Sequence, residues 1–183
     1  MDVPALIARL GALLPDVAIT EGAETDQATV IVPASQLVPV MRTLRDTPEL
    51  EFEFLADLTA VDWWPSEPRF EVVYHLASSG RASRLRVKVR VPEGAASVPT
   101  LKAVWLSADW LEREVWDLFG IVFEGHDDLR RLLMPDDWQG HPLRKDYPVQ
   151  IKMPVRAGEP LQVSEEEFRA NIEKDRRIRS GST

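Results

Sequence analysis

The 183 residues suffice for one ordinary domain plus an appendage, and a 44% hydrophobic content lets that domain bury a real core. The chain has no cysteine, which excludes disulfides, thiol nucleophiles and thiolate zinc sites and leaves little means of holding an iron–sulfur cluster. A formal charge of −8 argues against general nucleic-acid binding and against an anionic membrane surface as the main partner. No apolar run approaches the roughly 20 residues of a membrane span. The start Met1-Asp2-Val3-Pro4 resembles neither a signal nor a transit peptide, so the chain is expected to work in the cytoplasm.

Leu6, Leu10, Leu13 and Leu14 recur at helical spacing between Pro4 and Pro15. Short strands are expected at Val17–Thr20 and Ala28–Val32, on either side of the polar turn Glu24-Thr25-Asp26. Leu37, Val40, Met41 and Leu44 predict a second helix over Ala34–Asp46, with Pro39 near its first turn. Three alternating runs then read as strands of one sheet: Phe52 and Phe54, Phe70 to Leu76, and Leu85 to Val91. A hairpin loop at Ser78–Arg81 joins the last two. The wet face of the third run is basic throughout (Arg84, Arg86, Lys88, Arg90), and Glu51, Glu53 and Glu71 are expected to neutralise it across strands. Asp57 and Asp62 could be a carboxylate pair, but read better as strand-end and turn groups.

After Pro92, Leu101, Val104 and Trp105 suggest a helix opened by Ser97 and Pro99. Asp109 and Glu112 fit a capping box for another helix, which carries Leu111, Val115 and Leu118 inward and ends at Gly120. A short extended segment follows at Ile121–Phe123. The fold class is α+β: a mixed sheet with helices packed on one face, then an extended C-terminal arm and a terminal helix. The domain reading is a globular unit over 1–124 and a partner-binding arm with its helix over 125–183. Prolines at 135, 142, 148, 154 and 160 rule out a long helix or a central strand in that arm. Its leucines, Trp138 and Tyr147 are too apolar for simple disorder, so it reads as laid along another protein. Ser164 to Glu167 form a capping box for a thin amphipathic helix over Ser164–Arg179.

Four constellations could carry chemistry. His75, His126 and His141 lack the tight spacing of metal ligands. Glu114 and Asp117 share a helix face with Arg113 in reach, and could serve as acid and base. Without a nucleophile or cofactor motif beside them, an ion-pair cluster is the better reading. The Arg130-Arg131 pair between leucines suits carboxylate recognition with apolar anchoring. Gly140 to Pro148 combines pre-proline extension with the residue types of interface hot spots. Nucleophile elbows, phosphate loops and dinucleotide fingerprints are absent from the sequence.

Three blocks close the reading: EREVWDLFGIVF at 112–123, GHDDLRRLL at 125–133 and GHPLRKDYP at 140–148, with DLTAVD upstream at 57–62. In this order they closely resemble the 30 kDa subunit family of respiratory complex I, whose bacterial member is the C subunit of the proton-pumping NADH–quinone oxidoreductase. The resemblance implies a peripheral-arm subunit on the cytoplasmic side of the cell membrane. Its implied partners are the quinone-site D subunit and the cluster-bearing B subunit. It implies no cofactor, metal or catalytic residue in this chain; FMN and iron–sulfur clusters would belong to other subunits. The partner-binding residues it implies are Glu112, Arg113, Glu114, Asp117, His126, Arg130, Arg131, His141, Arg144, Lys145 and Asp146. Asp127 departs from the family's usual proline. The alternatives are the equivalent subunit of a membrane-bound hydrogenase or F420H2 dehydrogenase, and, in another class, a stand-alone acid/base or metal-dependent enzyme.

Overall fold

The computed structural model describes residues 3–23 and 27–148, together with 166, 169 and 170. The chain divides into two compact units, Met1–Tyr147 and Pro148–Thr183. The turn at Glu24–Asp26 and the arm beyond Pro148 lie outside the described residues; of the helix expected over Ser164–Arg179 only Glu166, Arg169 and Ala170 are described, and they are helical.

Helix α1 (Val3–Leu13) and strands β1 (Thr20–Glu21) and β2 (Thr29–Ile31) open the chain. One 3-10 turn at Ala34–Gln36 leads into α2 (Leu37–Asp46), which buries Leu37, Val40, Met41 and Leu44 as their spacing requires. Strands β3 (Phe54–Asp62), β4 (Phe70–Ser78) and β5 (Ser83–Val91) follow, then β6 (Ser97–Pro99), α3 (Ala108–Phe119) and β7 (Val122–Glu124). The main sheet runs β1-β2-β5-β4-β3 and is mixed, because β2 pairs parallel with β5 while the other pairs are antiparallel. One face, with Val30, Leu58, Val72, Tyr74, Val87 and Val89, joins the apolar sides of all three helices in a single core. The α+β fold therefore stands as expected.

Three local expectations change. The first strand starts at Phe54 and runs on through Asp57–Asp62, the stretch read as turn. A bulge between Leu55 and Asp57 explains the miss. It inserts a residue, so Leu55 and Leu58 both face inward although their odd separation breaks the period of two. Phe52 is buried ahead of the strand, where its N–H meets the Leu44 carbonyl at the end of α2.

The helix expected around Leu101–Trp105 is replaced by β6 and tight turns. Pro99 brings no N–H, the Thr100 N–H goes to the Glu124 carbonyl, and the Leu101 N–H goes to the Glu112 carboxylate at 2.6 Å. Glu112 is therefore not half of a capping box. Ser107 stands at the N-cap of α3, and Asp109 lies in the first turn. Gly120 does end the helix, in the left-handed region at φ 74°.

The third change concerns the basic stripe on the open sheet face. Glu71 pairs with Lys88 at 2.8 Å and Arg90 at 3.5 Å, but Glu51 turns to Arg81 and Glu53 to Ser79. Finally, the compact unit continues past the boundary expected after Glu124 and takes in the polypeptide as far as Tyr147.

Candidate functional site

An α-helix leaves its last carbonyls without intrahelical partners. In α3 those carbonyls are met by the run His126–Tyr147, which folds back as a strap. Arg131 Nη1 and His141 Nδ1 donate to the Asp117 carbonyl, at 2.9 and 3.0 Å. The Leu143 N–H donates to Leu118 O at 3.0 Å, and Arg144 Nε donates to Phe119 O at 2.5 Å. Two arginines thus stand at the negative end of the helix dipole. Gly120 is required twice over: its φ is positive, and a Cβ there would collide with the His141 ring and the Arg144 guanidinium.

Asp117 is fully buried and holds the strap from within the helix. Its Oδ2 accepts the N–H groups of Leu132, Leu133 and Met134 at 3.0, 2.7 and 2.9 Å, and its Oδ1 accepts Arg131 at 2.8 Å. Burial raises its carboxyl, but the Met134 N–H, Arg131 and the other two N–H groups outweigh this, so it titrates below the ordinary carboxylate range. Arg131 also ties the strap to itself through the Trp138 and Gly140 carbonyls, both at 2.9 Å. Burial, opposed by the Asp117 carbonyl and reinforced by Arg144 and Arg131, lowers His141 below its usual value.

The far end of the strap is held by a second ion cluster. Arg69 is 1% exposed and grips Asp62 with two bonds, Nε–Oδ1 at 3.0 Å and Nη2–Oδ2 at 2.8 Å. The same guanidinium reaches Asp146 at 2.6 Å and Glu93 at 2.5 Å. Asp62 also accepts the Trp64 N–H and the Lys145 N–H, each at 2.9 Å. Burial pushes the Asp62 carboxyl up, but Arg69 and these two N–H groups bring it down to about 2. Arg69 and Arg144 flank the Phe70 ring at 5.0 and 5.3 Å from its centroid.

A third group lies at the N-terminal end of α3. Asp109, His126 and Asp127 bring donor atoms within 4.8 Å of one another, as metal ligands would. The Lys102 ammonium sits among them, 3.0 Å from Asp109 and 2.5 Å from Asp127. His126 accepts the Asp128 N–H on Nδ1, so its Nε2 carries the proton and faces Asp109 at 3.1 Å. Asp127 thus forms an ion pair with Lys102.

Of the eleven sequence-named residues, most are engaged inside the chain. Glu112 and Asp117 are fully buried, and burial raises the Glu112 carboxyl against the Thr100 and Leu101 bonds that favour its charged form. Arg113 is 5% exposed, lies over the Trp110 ring and bonds the Arg131 carbonyl. His126, Arg131, His141, Arg144 and Asp146 hold the strap, as described. Arg130 and Lys145 are exposed and Glu114 is half-buried; Arg130 pairs with Asp128. The expected Arg113–Asp117 pairing is not among the ion pairs: Asp117 takes Arg131 instead.

Sequence reading missed Arg69, Lys102 and Glu93. Each has a partner 24 or more residues away, and a lone arginine after Pro68 gives no local signal. The hint lay in Asp62, a carboxylate on the inward face of a strand, where only a partner makes burial tolerable.

Fold and site together define an α+β domain with a surface strap latched onto one helix and one sheet corner. Residues 30–152 match the family described as "Respiratory-chain NADH dehydrogenase, 30 Kd subunit". The chain belongs to this family. It is 49% identical over 149 residues to the NADH-quinone oxidoreductase C subunit of Roseiflexus castenholzii, covering 81% of this chain and 86% of that one. To the C subunit of Geotalea uraniireducens it is 49% identical over 124 residues, 68% of this chain and 74% of that one. Among solved structures, the trypsin-resistant fragment (1-134) of Nqo5 matches with a TM-score of 0.57 and 36% identity, covering 70% of this chain and all of the fragment. A chain of the membrane-bound sulfane sulfur reductase, an archaeal respiratory membrane complex, matches with a TM-score of 0.68 and 27% identity, over 86% of this chain and 95% of that one. Among the described residues no helix is long and apolar enough to cross a membrane.

Proposed function

We propose that the chain is the peripheral C subunit of a proton-translocating NADH–quinone oxidoreductase, docking through its strap on the quinone-site subunit close to the cluster-bearing subunit. In this reading it supports electron transfer from NADH to quinone on the cytoplasmic side of the membrane without a cofactor or catalytic residue of its own. FMN and iron–sulfur clusters belong to the other subunits.

One observation carries the reading: the most polar side chains of the site face inward and fix the backbone of the strap. Asp117, Arg131, His141 and Arg144 bond peptide groups, so they shape a surface instead of converging on a reactive atom. What remains outside is Leu133 at 56% and Leu143 at 51% exposure, with Arg130 and Lys145. Exposed apolar anchors on a pre-ordered backbone, rimmed by charge, suit protein docking.

The test is affinity purification of the tagged full chain from membranes of cells that lack the native copy. Recovery of the quinone-site subunit with wild type, and its loss with Leu143→Ala and Lys145→Glu combined, is the expected outcome. Equal recovery with both chains would remove the strap from the interface.

The likeness to the sulfane sulfur reductase chain supports a second reading, the equivalent subunit of a related respiratory membrane complex. Its 27% identity is well below the 49% shared with the Roseiflexus protein, and the first reading is preferred.

A further inference from the structure

His141 sits where the strap closes on the end of α3. Its Nδ1 meets the Asp117 carbonyl at 3.0 Å, and a carbonyl only accepts, so Nδ1 carries the proton of the neutral ring. A second proton therefore goes to Nε2. That nitrogen and Arg144 Nη2 both lie within 2.6 Å of the place a Gly120 Cβ would take, so at most about 5 Å separates them. Earlier in the strap, Arg131 Nη1 donates to the same Asp117 carbonyl at 2.9 Å. From α3 the Trp116 ring stands edge-on to the imidazole at 6.3 Å, and Arg131 already lies over that indole at 5.6 Å.

The carboxylates nearest to this point are taken. Asp117 gives Oδ1 to Arg131 and Oδ2 to three backbone N–H groups. Asp146, which feels Arg144, is gripped by Arg69 at 2.6 Å. The last carbonyls of a helix favour positive charge, but Arg131 and Arg144 already answer them. An imidazolium would be a third cation beside two arginines. Burial first, and then Arg144 and Arg131, outweigh the carbonyl and carboxylate of Asp117 and hold the ring below its usual 6.5.

We propose that His141 is a pH-sensitive latch: a second proton on its ring loosens the strap from the end of α3. Leu143 and Lys145 sit on either side of Arg144, so the latch also sets the exposed part of the strap. Its consequence for docking rests on the reading of the strap as the docking element. A histidine whose folded value lies below its unfolded value stabilises fully above the unfolded value, near 6.5. That stabilisation is lost as the pH falls through the folded value. Asp62 and Asp117 titrate below the ordinary carboxylate range and stay charged between pH 7.5 and 5.5.

The test is hydrogen exchange of the purified full chain, read by NMR as protection factors at pH 7.5 and 5.5, corrected for intrinsic exchange. The Leu143 N–H, which donates to Leu118 O, should lose about fivefold in protection at the lower pH. The N–H groups of β4 and β5 should keep theirs. The imidazole signal with an Overhauser contact to Trp116 belongs to His141, and its titration midpoint should lie below 6.5. His141→Asn, whose side-chain amide can still donate to the Asp117 carbonyl but takes no proton, should protect Leu143 equally at both pH values. From membranes of cells lacking the native copy, the quinone-site subunit retained on the tagged chain should fall about threefold between pH 7.5 and 5.5. With His141→Asn it should stay constant. A midpoint at or above 6.5, or a pH dependence at Leu143 that His141→Asn keeps, would overturn this inference and leave the docking reading standing. Loss of Leu143 protection through His141 with unchanged retention of the subunit would overturn the docking reading and leave the latch in place.

Discussion

Asp117 accepts three successive backbone N–H groups and one guanidinium from a fully buried position. Removing such a carboxylate leaves both the donors and a partly buried arginine uncompensated. Asp117→Ala is therefore expected to cost about 3 kcal/mol, read as a lowered urea midpoint, and to free the strap for proteolysis. Asp62 contributes to the acid response. Its folded pKa of about 2 lies below the ordinary value near 4. Its stabilisation is therefore complete above pH ~4 and lost as the pH falls toward 2. The gap in Tm between wild type and Asp62→Asn should stay constant from pH 7 to about pH 4.5 and narrow below that. A gap that persisted unchanged at pH 2.5 would show that the carboxylate charge is not what stabilises the corner.

At the scale of elements, α3 and its strap form one unit. The helix ends at Gly120, and its carbonyls are satisfied by side chains and N–H groups from residues 131–144. Gly120→Ala adds left-handed strain of about 1 kcal/mol and drives a methyl into His141 and Arg144. The expected loss exceeds 2 kcal/mol in denaturant unfolding, and a loss near 1 would mean that the strap yields without cost. The helix, its glycine cap and the two alternating strands β4 and β5 were legible because each follows from a local period or cap. The bulge in β3 hid that strand by breaking the period. The turns after β6 took on a helical look because Leu101, Val104 and Trp105 are buried at helical spacing. The choice between the two forms depended on Glu112, eleven residues away from the N–H it accepts. The three-block resemblance located the site, but could not show that most of its charges act within the chain. That depends on Arg69 and Lys102, whose partners come together only in the fold.

For the whole molecule, the core and the strap serve different ends. The apolar face of the five-stranded sheet carries the helices, and α3 presents its C-terminal end to the strap. Because Arg144 caps α3 while Lys145 is exposed, their substitutions separate two effects. Arg144→Ala should lower Tm by several degrees in the isolated chain. Lys145→Ala should leave Tm within about 1 °C, as surface changes commonly do, and act only on assembly.

The central claim is that this face joins the chain to the quinone-site subunit. Its most direct measurement is the stoichiometry of that subunit co-purifying with the tagged full chain from membranes. Near-equimolar recovery with wild type, falling sharply with Leu143→Ala and Lys145→Glu while Tm holds, is the predicted result. Recovery of the chain without that subunit, or equal recovery with both chains, would contradict the account.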